Sequence, residues 1–375
     1  MHAIARMNKN TQMPRHGRTV FIGTYSKGGG QGIYRALLDT ESGTLGPARL
    51  AAECDSPSFL TSHPSGKFLY AVNELRVFGG QNSGAVSAYK INPKTHDLEL
   101  INVMPSRGQS PAHVVMDTDG RRLLVSNYNG PGICVFDTRA DGAVGGLAGC
   151  MVHSGRGVHP IRQTTAHPHS VAVSPSGNHV LAADLGTDEL ICYNYNKTGV
   201  PPVAGESCKV RLAPGSGPRH GVFHSSGRYF YLICELTAEI AVLAFDDARG
   251  LLSPRRVVPL YQSEIASPRS AAGIRTHPSG RWLYASERSD PSISVFSVSA
   301  DGEKLALVQR VDSGGRTPRH FAFTVDGKYL LVANQESDEL TLFSVNGDNG
   351  AIKKIHNVNL PAPACVCLHA TCRAE

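Results

Sequence analysis

The chain has 375 residues, of which 41% are apolar and 18% charged, with a formal net charge of +6. Those proportions suit a globular chain with a substantial core and exclude an intrinsically disordered one. No apolar run approaches the roughly 20 residues needed to cross a bilayer as a helix, and no concentrated basic stripe marks a nucleic-acid footprint.

Residues 1–17 carry basic residues without an apolar stretch, so they read as a disordered basic lead-in and not as a secretory signal. The segments VFIGTY (20–25), GIYRALLD (32–39) and TLGPARLAAE are strand-like and look like the second, third and fourth strands of a sheet lacking its first. Gly-rich SKGGGQG between the first two joins strand to strand, so it reads as a hairpin loop and not a phosphate cradle.

One unit then recurs: HPSGKFLYAVNE, DTDGRRLLVSNY, SPSGNHVLAADL, HSSGRYFYLICE, HPSGRWLYASER and TVDGKYLLVANQ. Their glycines, Gly66, Gly120, Gly177, Gly227, Gly280 and Gly327, are about 50 residues apart. The turn before each strand needs the positive φ that glycine supplies, and an apolar, β-branched or aromatic run follows. A short strand opens upstream with Pro57, Pro111, Pro168, Pro218 or Pro318, with Ala271 in the fifth unit; a third strand and often a fourth follow downstream. Four short antiparallel strands per repeat mark a propeller blade, and no segment carries sustained helical periodicity. LPAPACVCL (360–368) reads as a lone first strand, which completes the N-terminal sheet. The expected fold is therefore all-β, a seven-bladed β-propeller over residues 18–368 whose ring is closed by N- and C-terminal strands sharing one blade, followed by a tail at 369–375. Two stacked sandwiches are the competing architecture.

In such a blade the first strand lines the channel. The residues just after each proline are Ser58-Phe59, Ala112-His113, His169-Ser170, Arg219-His220, Ala272-Gly273 and Arg319-His320, an excess of histidine and arginine for strand positions. His113, His220, Arg319 and His320 are thus expected to bind substrate, with His167 a further candidate that could instead only close a turn. Arg275, in GIRTHPSG, is a cation where an apolar residue would be expected, which argues for a channel-facing role. A second ring, Asn73-Glu74, Asn127-Tyr128, Asp184-Leu185, Glu287-Arg288 and Asn334-Gln335, reads as mostly structural, tying loops. Glu235, ending an apolar strand, stands apart from it. The odd count of nine cysteines within apolar runs is read as buried free thiols in a reducing compartment, hence a cytoplasmic protein, and Cys365 and Cys367 lack the partners for a zinc site. No metal or cofactor is expected, nor a nucleic-acid or membrane partner, and the closed ring suggests a monomer.

With these residues placed, the chain resembles the bacterial lactonase family of seven-bladed propellers, which includes propeller-type 6-phosphogluconolactonases and has carboxy-cis,cis-muconate cyclases among its relatives. The matching stretches are FIGTYSKGGGQGIY, PSFLTSHPSGKFLYAVNE, HPHSVAVSPSGNHVLAADLG, GPRHGVFHSSGRYFYLICEL, GIRTHPSGRWLYASER and TPRHFAFTVDGKYLLVANQ. The resemblance implies a catalytic set of His169, Arg219, Glu235 and Arg275, with Arg219 and Arg275 as anion clamp and electrophile and either Glu235 or His169 activating water. Cys234 stands where the family usually has Asn, and ASERSD where it commonly has ASNRG. The implied activity is hydrolysis of a small anionic lactone, 6-phospho-D-glucono-1,5-lactone first among them, in the pentose phosphate pathway. A carboxymuconate-type cycloisomerase and a non-catalytic binding propeller are the alternatives.

Overall fold

The computed structural model describes residues 17–199, 202–261 and 268–369. Seven antiparallel sheets follow one another around a ring, six of them four-stranded meanders and the seventh shared by the two ends of the chain. In that shared sheet Pro363–Leu368 pairs with Gly17–Thr24, matching Val20 with Leu368 and Ile22 with Val366. Gly32–Asp39 follows, and Thr44–Leu45 and Arg49–Glu53 both pair with it. Closure in this way pairs the first and last strands of the ring with each other, so the N-terminal strand is flanked on both sides. Strand pairing already starts at Gly17, which faces Asp39, and His369 is buried with its N–H donated to Thr19 O. The expected lead-in and tail otherwise fall on residues 1–16 and 370–375, outside the described residues.

The repeat glycines all sit at φ between 68° and 72°, so six blades share one turn geometry. Two of those turns also staple neighbouring blades: His63 Nε2 lies 3.0 Å from Gly120 O, and His277 Nε2 lies 3.0 Å from Gly327 O. Between blades, alternate side chains of the middle strands interdigitate; Tyr70, Phe136, Phe230, Tyr284 and Phe343 are among the fully buried ones. Burying each such side chain stabilises the ring by about 1.5–3 kcal/mol. Among the described residues no helix is long and apolar enough to cross a membrane.

The cysteine expectation needs correction at one pair. Cys134 and Cys150 are disulfide-bonded, because strand register places them directly opposite each other. The other described cysteines are free.

The innermost strands explain how polar side chains reach the axis. Four of the seven, beginning at Pro168, Pro218, Pro318 and Pro363, open on proline, which a strand edge tolerates because no ladder hydrogen bond is lost there. The pairing then skips one residue. Pro168 faces Asp184 while Ser170 faces Ala183, Pro218 faces Cys234 while His220 faces Ile233, and Pro318 faces Asn334 while His320 faces Ala333. His169, Arg219 and Arg319 are thus the extra residues of three equivalent β-bulges, a feature that re-aims side chains next to active sites.

Candidate active site

Glu235 is the centre of the upper end of the channel. It is 1% exposed, yet three guanidiniums converge on it. Arg219 Nε donates to Oε2 at 2.9 Å, Arg288 Nη2 lies 3.0 Å from the same oxygen, and Arg162 Nη2 lies 2.5 Å from Oε1. The Arg162 contact is an ion pair that is not aligned as a hydrogen bond. Burial by itself would raise the Glu235 pKa; Arg288, Arg219 and Arg162 outweigh it and hold the carboxyl well below the usual carboxylate range.

Arg219, itself 1% exposed, is fixed at two edges, since Nη1 also donates to Ala272 O at 2.7 Å. Burial pushes its pKa down to about 9, with Arg288 adding to the effect and Glu235 opposing it. It stays charged at neutral pH.

Arg162 comes from the 153–167 loop. Its neighbour Gln163 is fully buried and pins that loop by donating to Asp188 Oδ1 at 2.7 Å and Leu185 O at 2.9 Å. Arg162 itself stays 36% exposed in its side chain while touching a carboxylate that is almost wholly enclosed. It also donates to Tyr128 Oη at 3.3 Å. Tyr128 in turn stacks on His167 at 4.4 Å, and His167 Nδ1 donates to Tyr128 O at 2.8 Å. His167 therefore stands behind Tyr128 as a support.

Beneath the guanidiniums lies a layer of imidazoles. His169 packs edge-on to His220 at 5.1 Å, His220 to His113 at 5.3 Å, and Phe59 contacts His113, His220 and His320. Burial lowers the pKa of all four histidines, with nearby arginines reinforcing it, and His113 falls to about 3. They are neutral at pH 7. His169 Nδ1 is buried without a protein partner. At the opposite side of the mouth Arg319 lies over the Tyr25 ring at 5.0 Å, and Tyr25 Oη donates to Glu74 Oε2 at 2.7 Å.

The structure thus brings His169, Arg219 and Glu235 together, with His113, His220, His320 and Arg319 around them. It does not bring Arg275 to Glu235. Arg219 stands one residue into its strand and Arg275 four residues beyond Ala271, a difference of about 10 Å at some 3.3 Å per residue. The lining of two cavities gives the same separation: Arg219 and Arg319 border the upper one, Arg275 the lower, while Phe59 and His320 border both. Arg275, expected as the second clamp arginine, thus stands apart from Glu235, whose guanidinium partners besides Arg219 are Arg288 and Arg162.

Arg288 had a signal in the repeat. Eight residues after each turn glycine come Glu74, Tyr128, Leu185, Glu235, Arg288 and Gln335. Four of those, Glu74, Tyr128, Glu235 and Arg288, take part in the upper cluster. The preceding residue in each unit does tie loops: Asn73 donates to Asp55 O, Asn127 to Ser106 O and Asn334 to Ser313 O, while Asp184 accepts from His167 N and Glu287 from Ser270 N. Cys234 occupies that tying place, so it replaces a loop contact and not a reacting group.

The family model for the seven-bladed β-propeller lactonases matches residues 19–368. The chain belongs to that lactonase family. A 6-phosphogluconolactonase of Bacillus subtilis (strain 168) is 33% identical over 92% of this chain and 97% of its own, and one of Formosa agariphila 34% identical over 90% and 95%. The solved structure of a Pseudomonas aeruginosa periplasmic gluconolactonase superposes with a TM-score of 0.87, at 30% identity, over 94% of this chain and 99% of its own. The protein is therefore a lactone-hydrolysing enzyme, a carboxylic ester hydrolase, and the non-catalytic propeller is set aside.

Proposed function

We propose that the lactonase hydrolyses a phosphorylated sugar lactone, 6-phospho-D-glucono-1,5-lactone, to the open-chain phosphogluconate, a step of the pentose phosphate pathway. The observation that carries this reading is Arg162, a partly exposed guanidinium at the mouth whose partner Glu235 already has two others. An arriving phosphate recruits Arg162 into charge-assisted hydrogen bonds at little cost, because Glu235 remains neutralised by Arg219 and Arg288.

In this reading Glu235 orients the guanidiniums and His169 moves the proton. Both groups are weak bases, since burial and Arg219 lower the His169 pKa as well. The Glu235 oxygens, however, are already engaged by three guanidiniums, whereas His169 has a buried ring nitrogen without a protein hydrogen-bond partner. His169 takes a proton from water as its oxygen bonds to the lactone carbonyl carbon. Arg219 and Arg288 stabilise the negative charge that develops on the carbonyl oxygen. Collapse then breaks the bond from that carbon to the ring oxygen, which leaves as a hydroxyl after taking the proton back from His169. The names of the Bacillus and Formosa relatives support the phosphorylated substrate.

The test is a substrate panel corrected for spontaneous hydrolysis. The phosphorylated lactone should exceed unphosphorylated gluconolactone in kcat/KM by at least about tenfold, the effect of one charge-assisted contact. Equal rates on both, or turnover of carboxymuconates alone, would overturn the assignment.

A further inference from the structure

The lower end of the channel holds a cavity of about 320 Å³, lined by Thr61, Ser62, Arg275, Thr276, His320 and Cys367 among others, none of them acidic. Arg275 has no carboxylate partner in any ion pair among the described residues. Its contacts are Ile274 O, which accepts from Nη1 at 2.9 Å, and His320 Nε2, 2.7 Å from Nη2.

His320 meets a donor at each ring nitrogen: Val366 N–H points at Nδ1 at 3.2 Å, and Arg275 Nη2 lies 2.7 Å from Nε2. A neutral imidazole has one accepting nitrogen, so in either tautomer one of those N–H donors faces another N–H. Val366 is held by the strand pairing that closes the ring, whereas the guanidinium lies against a cavity. With the proton on Nε2, an anionic oxygen beside Arg275 accepts from both groups in charge-assisted hydrogen bonds. The Thr61 and Thr276 side chains line the same space. Burial lowers the Arg275 pKa, which is the cost an anion would offset.

We infer that the lower mouth is a second anion site, built on Arg275 and His320, that takes a phosphate group, free or as the end of a small metabolite. It opens on the far side of the imidazole layer from Glu235, with His320 the member of that layer it uses, because Arg275 borders only the lower cavity while Arg219 and Arg319 border only the upper.

The test is calorimetric titration of the full chain with inorganic phosphate and, separately, glycerol 3-phosphate. The wild type should bind two phosphates. Arg275→Gln should lose one of them, weakened at least tenfold, while Arg162→Gln keeps it. Arg275→Lys, which retains the charge but not the planar fork, should weaken it by a smaller factor and serves if the glutamine variant does not fold. A tighter fit for the ester marks the end of a metabolite, and a tighter fit for inorganic phosphate marks the free ion; either ranking is consistent with the site. In crystals soaked in phosphate, density should touch both Arg275 and His320. Unchanged stoichiometry in folded Arg275→Gln, or phosphate found only beside Arg162 and Arg288, overturns the inference. Loss of the upper phosphate with the lower one retained would count against the proposed substrate and leave this site standing.

Discussion

The upper and lower ends of the channel use the same cation in opposite ways. Above the imidazole layer, Arg162, Arg219 and Arg288 share one buried carboxylate, so the charges are paired before any substrate arrives. Below it, Arg275 is half-buried against a neutral imidazole and a backbone carbonyl. A paired cluster is rigid and its geometry is set in advance, which suits transition-state stabilisation. An uncompensated cation leaves the folded state strained until an anion binds. One end is organised for chemistry, the other for capture.

Removing the shared carboxylate tests the comparison most severely. Glu235→Gln keeps the shape but leaves three guanidiniums facing one another, and breaking a buried ion pair from one side costs about 3–5 kcal/mol. We expect a fall of that size in urea unfolding, and a loss of lactone turnover of about 10³-fold as the oxyanion donors lose their alignment. A variant with near wild-type turnover would mean that Glu235 does not organise the site.

Acid should come next. His113, His169, His220 and His320 have folded-state pKa values below the ordinary 6.5, so the unfolded chain binds more protons than the folded one as pH falls past that value. Their stabilisation is complete above pH 6.5 and is lost progressively as pH falls below it, for His113 down to about pH 3, at about 1.4 kcal/mol per pH unit for each imidazole fully protonated in the unfolded chain. Glu235, whose folded value is depressed, adds stability above its ordinary 4.5 that goes only as pH drops further. Unfolding midpoints should thus start to fall below pH 6.5. Midpoints flat down to pH 4.5 would show the imidazoles to be solvated.

How far these features could be read beforehand follows from where each residue stands in the repeat. The fold was legible because each turn glycine and the strand after it are local signals repeated six times. His169 and Arg219 were legible by position because each directly follows a strand-opening proline, the place where the strand pairing bulges. Arg288 was visible but grouped with its neighbour Glu287, which ties a loop; only the column it shares with Glu235 tells them apart. Arg275 was recognised as unusual, but its depth along the strand was not weighed against that of Arg219. Arg162 had no signal at all, since it lies in the 153–167 loop, outside the repeat and longer than the equivalent connections at 106–108, 212–217 and 313–317. The buried Gln163 beside it fixes where the loop sits.

Arg162 gives a subtler test of the upper end. Arg162→Gln should raise KM for the phosphorylated lactone about 10–100-fold, the equivalent of about 1.5–3 kcal/mol for a hydrogen bond to a charged group, with kcat changed far less. Unphosphorylated gluconolactone should show little change in KM. An equal rise for both substrates would assign Arg162 to the shape of the loop and not to the phosphate.

The smallest effect should come from the lower end, and its sign is the informative part. Arg275→Met keeps the length of the side chain while removing a half-buried cation that pairs with no carboxylate among the described residues, and replacing an unpaired, partly desolvated charge by an apolar group of similar size is neutral or stabilising. In phosphate-free buffer we expect the urea midpoint to hold or rise, by up to about 1–2 kcal/mol. Adding phosphate should close that gap, because a ligand bound only by the folded wild type stabilises it by mass action. A variant less stable than the wild type in both buffers would mean that Arg275 is paid for within the protein, and the contrast between the two ends would disappear.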